Sequence, residues 1–220
     1  MTKILNYFNK FELTLIIAMI FTNWITGGLS EPIGAICSIT GVLAVVLIAK
    51  GKISNFAFGI INVSLYIYLS FTWKLYGDVM LGLLYTLPVQ FIGFFTWKNR
   101  MGKNGVVKAK TMNGKQIGLL LVGSVTLISL YAQFLVYLGG NSPYLDASST
   151  ILSIVAQVLM LLAFAEQWAL WIIVNSISII MWIIPASTGD SSAISMVVMW
   201  TAYLINAIYG YYNWRRMAKA

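Results

Sequence analysis

The 220-residue sequence contains no histidine, a single cysteine and little charge, with 9% of its residues Asp, Glu, Lys or Arg. Each shortage removes a class of function. Hydrolysis or group transfer calls for a base, a carboxylate pair or a metal cluster, and no Asp, Glu, Lys, Arg or His lies near the middle of an apolar stretch. No enzyme, metal site or cofactor is therefore expected. Cys37 cannot form an intrachain disulfide; it falls in an apolar stretch and reads as a small packing residue. The glycines of KNRMGKNGVVKAKTMNGK, residues 98–115, are not followed by G-K-[ST], which excludes that phosphate-binding loop. A soluble domain of this length needs several times more charge to cover its surface.

What the chain has instead is apolar length, 60% of it hydrophobic. Eight apolar stretches recur, at 11–26, 32–49, 53–71, 79–97, 116–138, 146–165, 168–185 and 193–214, on the scale of bilayer-crossing helices. The expected class is an all-α integral membrane protein with eight transmembrane helices. The net charge of +8 follows from topology rather than from a nucleic-acid partner. With both termini cytoplasmic, 13 of the 14 basic residues lie inside and Lys74 outside, the bias that sets membrane orientation. Glu31, Asp78, Asp146 and Asp190 then fall on the outer side. The basic 98–115 connection is a topology anchor. TNWITGGLS, after the first stretch, lacks an A-x-A-like cleavage site, so that stretch reads as a retained span.

The chain also repeats itself. GFFTWKNR at 93–100 matches GYYNWRRM at 210–217 in glycine, tryptophan and a basic residue at equal spacing. Asn62 and Asn175 each sit mid-helix two spans before the end of a hydrophobic block, and YGD at 76–78 and TGD at 188–190 precede the next span. These matches divide the chain into an extra N-terminal helix (1–28), a first three-helix repeat (29–100), the basic loop with a linking helix (101–140), and a second repeat with the C-terminus (141–220). One linking helix between two odd-numbered repeats makes them parallel, a symmetry of transporters that bind substrate at the repeat interface near the midplane. Asp78 and Asp190 are expected near helix N-caps.

Asn62, Gln90, Gln157, Asn175 and Asn206 lie in five different stretches, each within about one turn of its centre. An amide facing lipid at that depth loses its hydrogen bonds, so these should face inward. One alone reads as well as interhelical glue; five at one depth read as a lining. Aromatic rings share their faces. Tyr66 is i+4 from Asn62 and Gly59 is i−3, while Tyr203 and Tyr209 flank Asn206. Trp168, Trp171, Asn175, Ser178 and Trp182 fall within an arc of about 80°. Membrane-surface belts account for Trp73, Trp97, Trp168, Trp200 and Trp214. The candidate substrate-binding set is Asn62, Tyr66, Gln90, Gln157, Trp171, Asn175, Trp182, Tyr203 and Asn206. It offers amide hydrogen bonds and ring faces to a polar, ring-containing, unphosphorylated molecule. A cationic ring suits it, since an indole face holds a desolvated cation by about 2 kcal/mol.

WKLYGDVMLGLLY at 73–85, QWALWIIVNSISIIMW at 167–182 and YLINAIYGYYNWRR at 203–216 resemble the bacterial PnuC family of vitamin transporters, over roughly 30–216. The W-x-x-W-x-x-x-N and N-x-x-Y-G-x-x-x-W elements are the more specific, and the resemblance is greatest to members that carry nicotinamide riboside. It implies a SWEET-like architecture of two parallel halves, an inner-membrane location and facilitated diffusion of nicotinamide riboside, with a separate cytoplasmic kinase trapping the product. A homotrimer is one assembly it admits. Relatives carry thiamine or riboflavin, and thiamine is another cationic ring without phosphate, so both stay open. So does the substrate-binding subunit of an energy-coupled vitamin importer. A membrane enzyme acting on lipid would need acidic metal ligands that the chain lacks, and a purely structural protein would tolerate Asn175→Leu.

Overall fold

The computed structural model describes residues 8–25, 32–72, 82–103, 105–139, 142–187 and 191–219. Among these residues the chain is helical and contains no strand. The elements are α1 (Lys10–Ile25), α2 (Pro32–Ala49), α3 (Asn55–Thr72), a π-helical turn (Gly82–Thr86) running into α4 (Leu87–Lys98), α5 (Gly114–Tyr137), α6 (Pro143–Leu161), α7 (Gln167–Ser187) and α8 (Ser191–Met217). They form two compact units, Met1–Val107 and Lys108–Ala220. α5 and α6 are long and apolar enough to cross a membrane, and α2, α3 and α7 carry shorter apolar runs, Ile39–Ala49, Asn55–Tyr68 and Gln167–Met181. On α5, Leu119, Leu121, Val122, Val125, Leu130 and Phe134 are all exposed. So broad an apolar surface suits acyl chains and not water.

In the first unit, α1 opens with a reciprocal cap. Asn9 Oδ1 accepts from the Glu12 amide, and Glu12 Oε2 accepts from the Asn9 amide, both at 2.8 Å. Glu12 is buried and pairs with Lys50 Nζ at 2.5 Å, so the N-terminal helix is tied to the end of α2. α2 ends in a Schellman turn: Gly51 has φ 65°, Lys52 N donates to Leu47 O at 2.9 Å, and Gly51 N to Ile48 O at 2.8 Å. At the start of α3, Phe56 lies edge-on to Trp97 of α4, their centroids 5.0 Å apart.

The second unit repeats this wiring. α5 starts with the same kind of box, between Asn113 and Gln116. α6 ends in a Schellman turn with Ala163 at φ 58°, Phe164 N on Leu159 O at 2.9 Å and Ala163 N on Met160 O at 3.0 Å. Trp168 lies edge-on to Trp214 at 6.2 Å, and a Cβ on Gly210 would fall 2.6 Å from the Trp168 ring. The core gathers Ala156, Leu159, Phe164 and Leu170. The Ala163 turn stops α6 at Leu161, short of the expected end at 165. Residues 79–81 of the expected fourth stretch, and the Asp78 and Asp190 cap positions, lie outside the described residues.

The basic connection is hydrogen-bonded along its length. Val107 N donates to Gly51 O at 2.9 Å, and Lys52 Nζ to Gly105 O at 3.1 Å. Further on, Lys110 N donates to Ala163 O at 3.0 Å, Ala165 N to Lys110 O at 2.9 Å, and Lys110 Nζ sits 4.0 Å over the Phe164 ring. Both turn residues with left-handed backbone thus present their carbonyls to this segment.

Candidate substrate-binding site

In the first unit the amides meet glycines. Asn62 Nδ2 donates to the Cys37 carbonyl at 2.7 Å and approaches Cys37 Sγ at 3.4 Å. Thr40 Oγ1 donates to the same carbonyl at 3.0 Å. A Cβ on Gly41 would lie 2.8 Å from Asn62 Nδ2, so α2 accepts this side chain because residue 41 has none. Gln90 of α4 lies over Gly59 of α3, where a Cβ would come 2.9 Å from its Cδ. Gln90 makes no hydrogen bond to another described residue. Tyr66 is half exposed. Cys37 was expected only to pack; its backbone carbonyl, which no side-chain pattern reveals, is what holds Asn62.

In the second unit Asn175 and Asn206 are each 4% exposed. Asn175 makes no hydrogen bond to another described residue, whereas Ser178, one turn on, donates to the Val174 carbonyl at 3.0 Å. Trp171 is half-buried and packs on the core cluster of Ala156, Leu159, Phe164 and Leu170, and Tyr203 lies edge-on to Trp200 at 5.8 Å. The Trp182 side chain lies outside the described residues. Gln157 is half-buried. Because α6 runs Pro143–Leu161, Gln157 sits about 7 Å beyond the midpoint of its helix, not within a turn of it as expected. Asn62, Gln90, Asn175 and Asn206 stay within about 3 Å of theirs, the π turn being counted with α4. Gln133 donates from Nε2 to the Tyr144 hydroxyl at 2.9 Å, joining α5 to α6.

The turns recur at a spacing one residue shorter than the 113 residues (175 − 62) between Asn62 and Asn175. Gly51 and Ala163 are 112 residues apart (163 − 51), and every turn hydrogen bond given above recurs at that offset. Asn62 then corresponds to Val174, and Asn175 to Val63. At the letter match of Gly93 with Gly210, 117 residues apart (210 − 93), Gln90 falls opposite Ala207 and Asn206 opposite Val89. All four counterparts are buried and apolar. Sequence reasoning also missed Gln167, which is fully buried with neither amide atom hydrogen-bonded; it falls between the apolar stretches 146–165 and 168–185.

The family model described as Nicotinamide mononucleotide transporter matches residues 31–216. The chain belongs to this family. It is a membrane transporter and not an enzyme. A nicotinamide riboside transporter PnuC from Neisseria mucosa is 43% identical over 192 residues, covering 85% of this chain and 73% of its own. The nicotinamide riboside transporter PnuC of Haemophilus influenzae is 41% identical over 189 residues, covering 84% and 79%. Among solved structures, a crystal structure of the vitamin B3 transporter PnuC matches with TM-score 0.75 and 40% identity, over 96% of this chain and 93% of that one. The family match begins beyond α1, and it contains every residue of the candidate set.

Proposed function

We propose that the protein carries nicotinamide riboside across the bacterial inner membrane by facilitated diffusion, and that a separate cytoplasmic kinase traps the product. The observation that carries this reading is Asn175, a buried carboxamide in the middle of an apolar helix with no hydrogen bond to another described residue. Leaving such a group unsatisfied costs about 1–3 kcal/mol, and a polar ligand that bonds to it offsets that cost. Asn62, Gln90, Gln157, Asn175 and Asn206 would bond the ribose hydroxyls and the carboxamide. Trp171, Trp182, Tyr66 and Tyr203 would stack on or enclose the pyridinium. The names of the PnuC relatives support the choice of substrate.

The family description names the mononucleotide, and the two ligands differ by a phosphate. Phosphate recognition draws on Lys, Arg or a backbone nest, and the candidate set contains no cation. The riboside is therefore the better fit. The recurrence of the turns at one offset supports two parallel three-helix repeats of SWEET-like plan. Eight spans with both termini cytoplasmic agree with the distribution of Lys and Arg.

Uptake by purified protein in liposomes without ATP tests the mechanism. Nicotinamide riboside should equilibrate, and should accumulate further when the lumen holds a riboside kinase with ATP. Thiamine, riboflavin and the mononucleotide should neither enter nor compete. A strict need for a partner ATPase would replace the uniporter with the energy-coupled reading, and comparable mononucleotide uptake would overturn the argument from charge.

A further inference from the structure

We infer that Gly41 and Gly59 are positioning residues, each seating the carboxamide of the next helix; this rests on the substrate reading above. The two contacts follow one rule along the chain. Gly41 of α2 lies under Asn62 of α3, and Gly59 of α3 lies under Gln90 of α4. At both positions a Cβ would come within 3.0 Å of a carboxamide heavy atom, closer than van der Waals packing allows. Glycine is a poorer helix former than alanine, so neither position is explained by the stability of its own helix. Gly82 and Gly210 seat apolar side chains, Ile67 and Trp168, while Gly114, Gly118 and Gly123 of α5 have nothing within 4 Å of an added Cβ. Gly41 and Gly59 are thus set apart by what they seat and not by crowding alone.

The two seats leave the amides with different capacities. Asn62 is oriented by its donation to Cys37 O, which leaves Oδ1 as the acceptor. Gln90 makes no hydrogen bond to another described residue, so its seat is steric and its amide keeps both donor and acceptor functions for a ligand. A methyl group on residue 59 would push that amide from its place without touching its chemistry.

A double-mutant cycle on the full chain in liposomes tests the inference, with Gly118→Ala as the control for alanine in an uncrowded helix. Gly59→Ala should raise the KM for nicotinamide riboside about tenfold with the maximal rate nearly unchanged, and Gly118→Ala should not. Gln90→Ala should have an effect of similar size. If Gly59 acts through Gln90, the double variant should match Gln90→Ala alone and not show a hundredfold rise. Multiplying effects, or an unchanged KM for Gly59→Ala beside active parent protein, overturns the inference alone. Parent protein that moves no nicotinamide riboside overturns the substrate reading and this inference together. Should Gly59→Ala fail to fold, the double variant decides: folding with the KM of Gln90→Ala supports the inference, and failure to fold overturns it.

Discussion

Asn62 and Asn175 are the same side chain near the middle of two apolar helices, and their surroundings give them different energetics. The Asn62 amide is bonded to the Cys37 carbonyl over Gly41, so Asn62→Leu loses that bond and crowds a glycine. It should destabilise the protein by about 1–2 kcal/mol. Asn175 has no such partner among the described residues. Asn175→Leu should leave the unfolding midpoint unchanged or raised, while nicotinamide riboside uptake falls at least tenfold. Thermal unfolding in detergent, measured beside uptake, separates the two. A large loss of stability in Asn175→Leu would make that amide structural. The sequence shows where these amides are, because one polar letter stands out in an apolar run. It does not show what they bond to, because the acceptor at Cys37 is a backbone oxygen 25 positions earlier.

Helices are the most legible layer, since apolar runs are bounded by polar and turn residues. The end of α6 is the instructive exception. Its left-handed turn is made by Ala163, where α2 uses Gly51. With no glycine to mark the stop, residues 162–165 read as more helix. The tie between α1 and α2 was equally hidden, since Glu12 and Lys50 are 38 residues apart. Glu12 is buried at 2% exposure and Lys50 at 14%, so removing Lys50 takes a cation away from a buried carboxylate. Lys50→Met should cost about 3 kcal/mol. Adding Glu12→Gln, which keeps an acceptor for the Asn9 amide, should recover most of that loss. Chemical denaturation of both variants tests the pair, and equal stability of the single and double variants would reduce it to a surface contact.

For the whole molecule, the missing charges carried most of the reading: few ionised groups and one-sided Lys and Arg pointed to a chain that crosses a membrane several times. The spacing of the two left-handed turns was out of reach, because Ala163 carries no glycine to mark it, and it differs by one residue from the spacing of Asn62 and Asn175. α5 bears on how the protein behaves outside its membrane. Leu119 is 76% exposed and Leu130 66%, and such surface is stabilised only while hydrocarbon covers it. The unfolding temperature of the purified protein should therefore climb with detergent alkyl-chain length, and Leu119→Ser should flatten that dependence; no dependence would mean that α5 is covered by protein. The solvent chosen for extraction thus becomes part of the tertiary structure, and an assay of affinity or turnover reports on that choice as well as on the polypeptide.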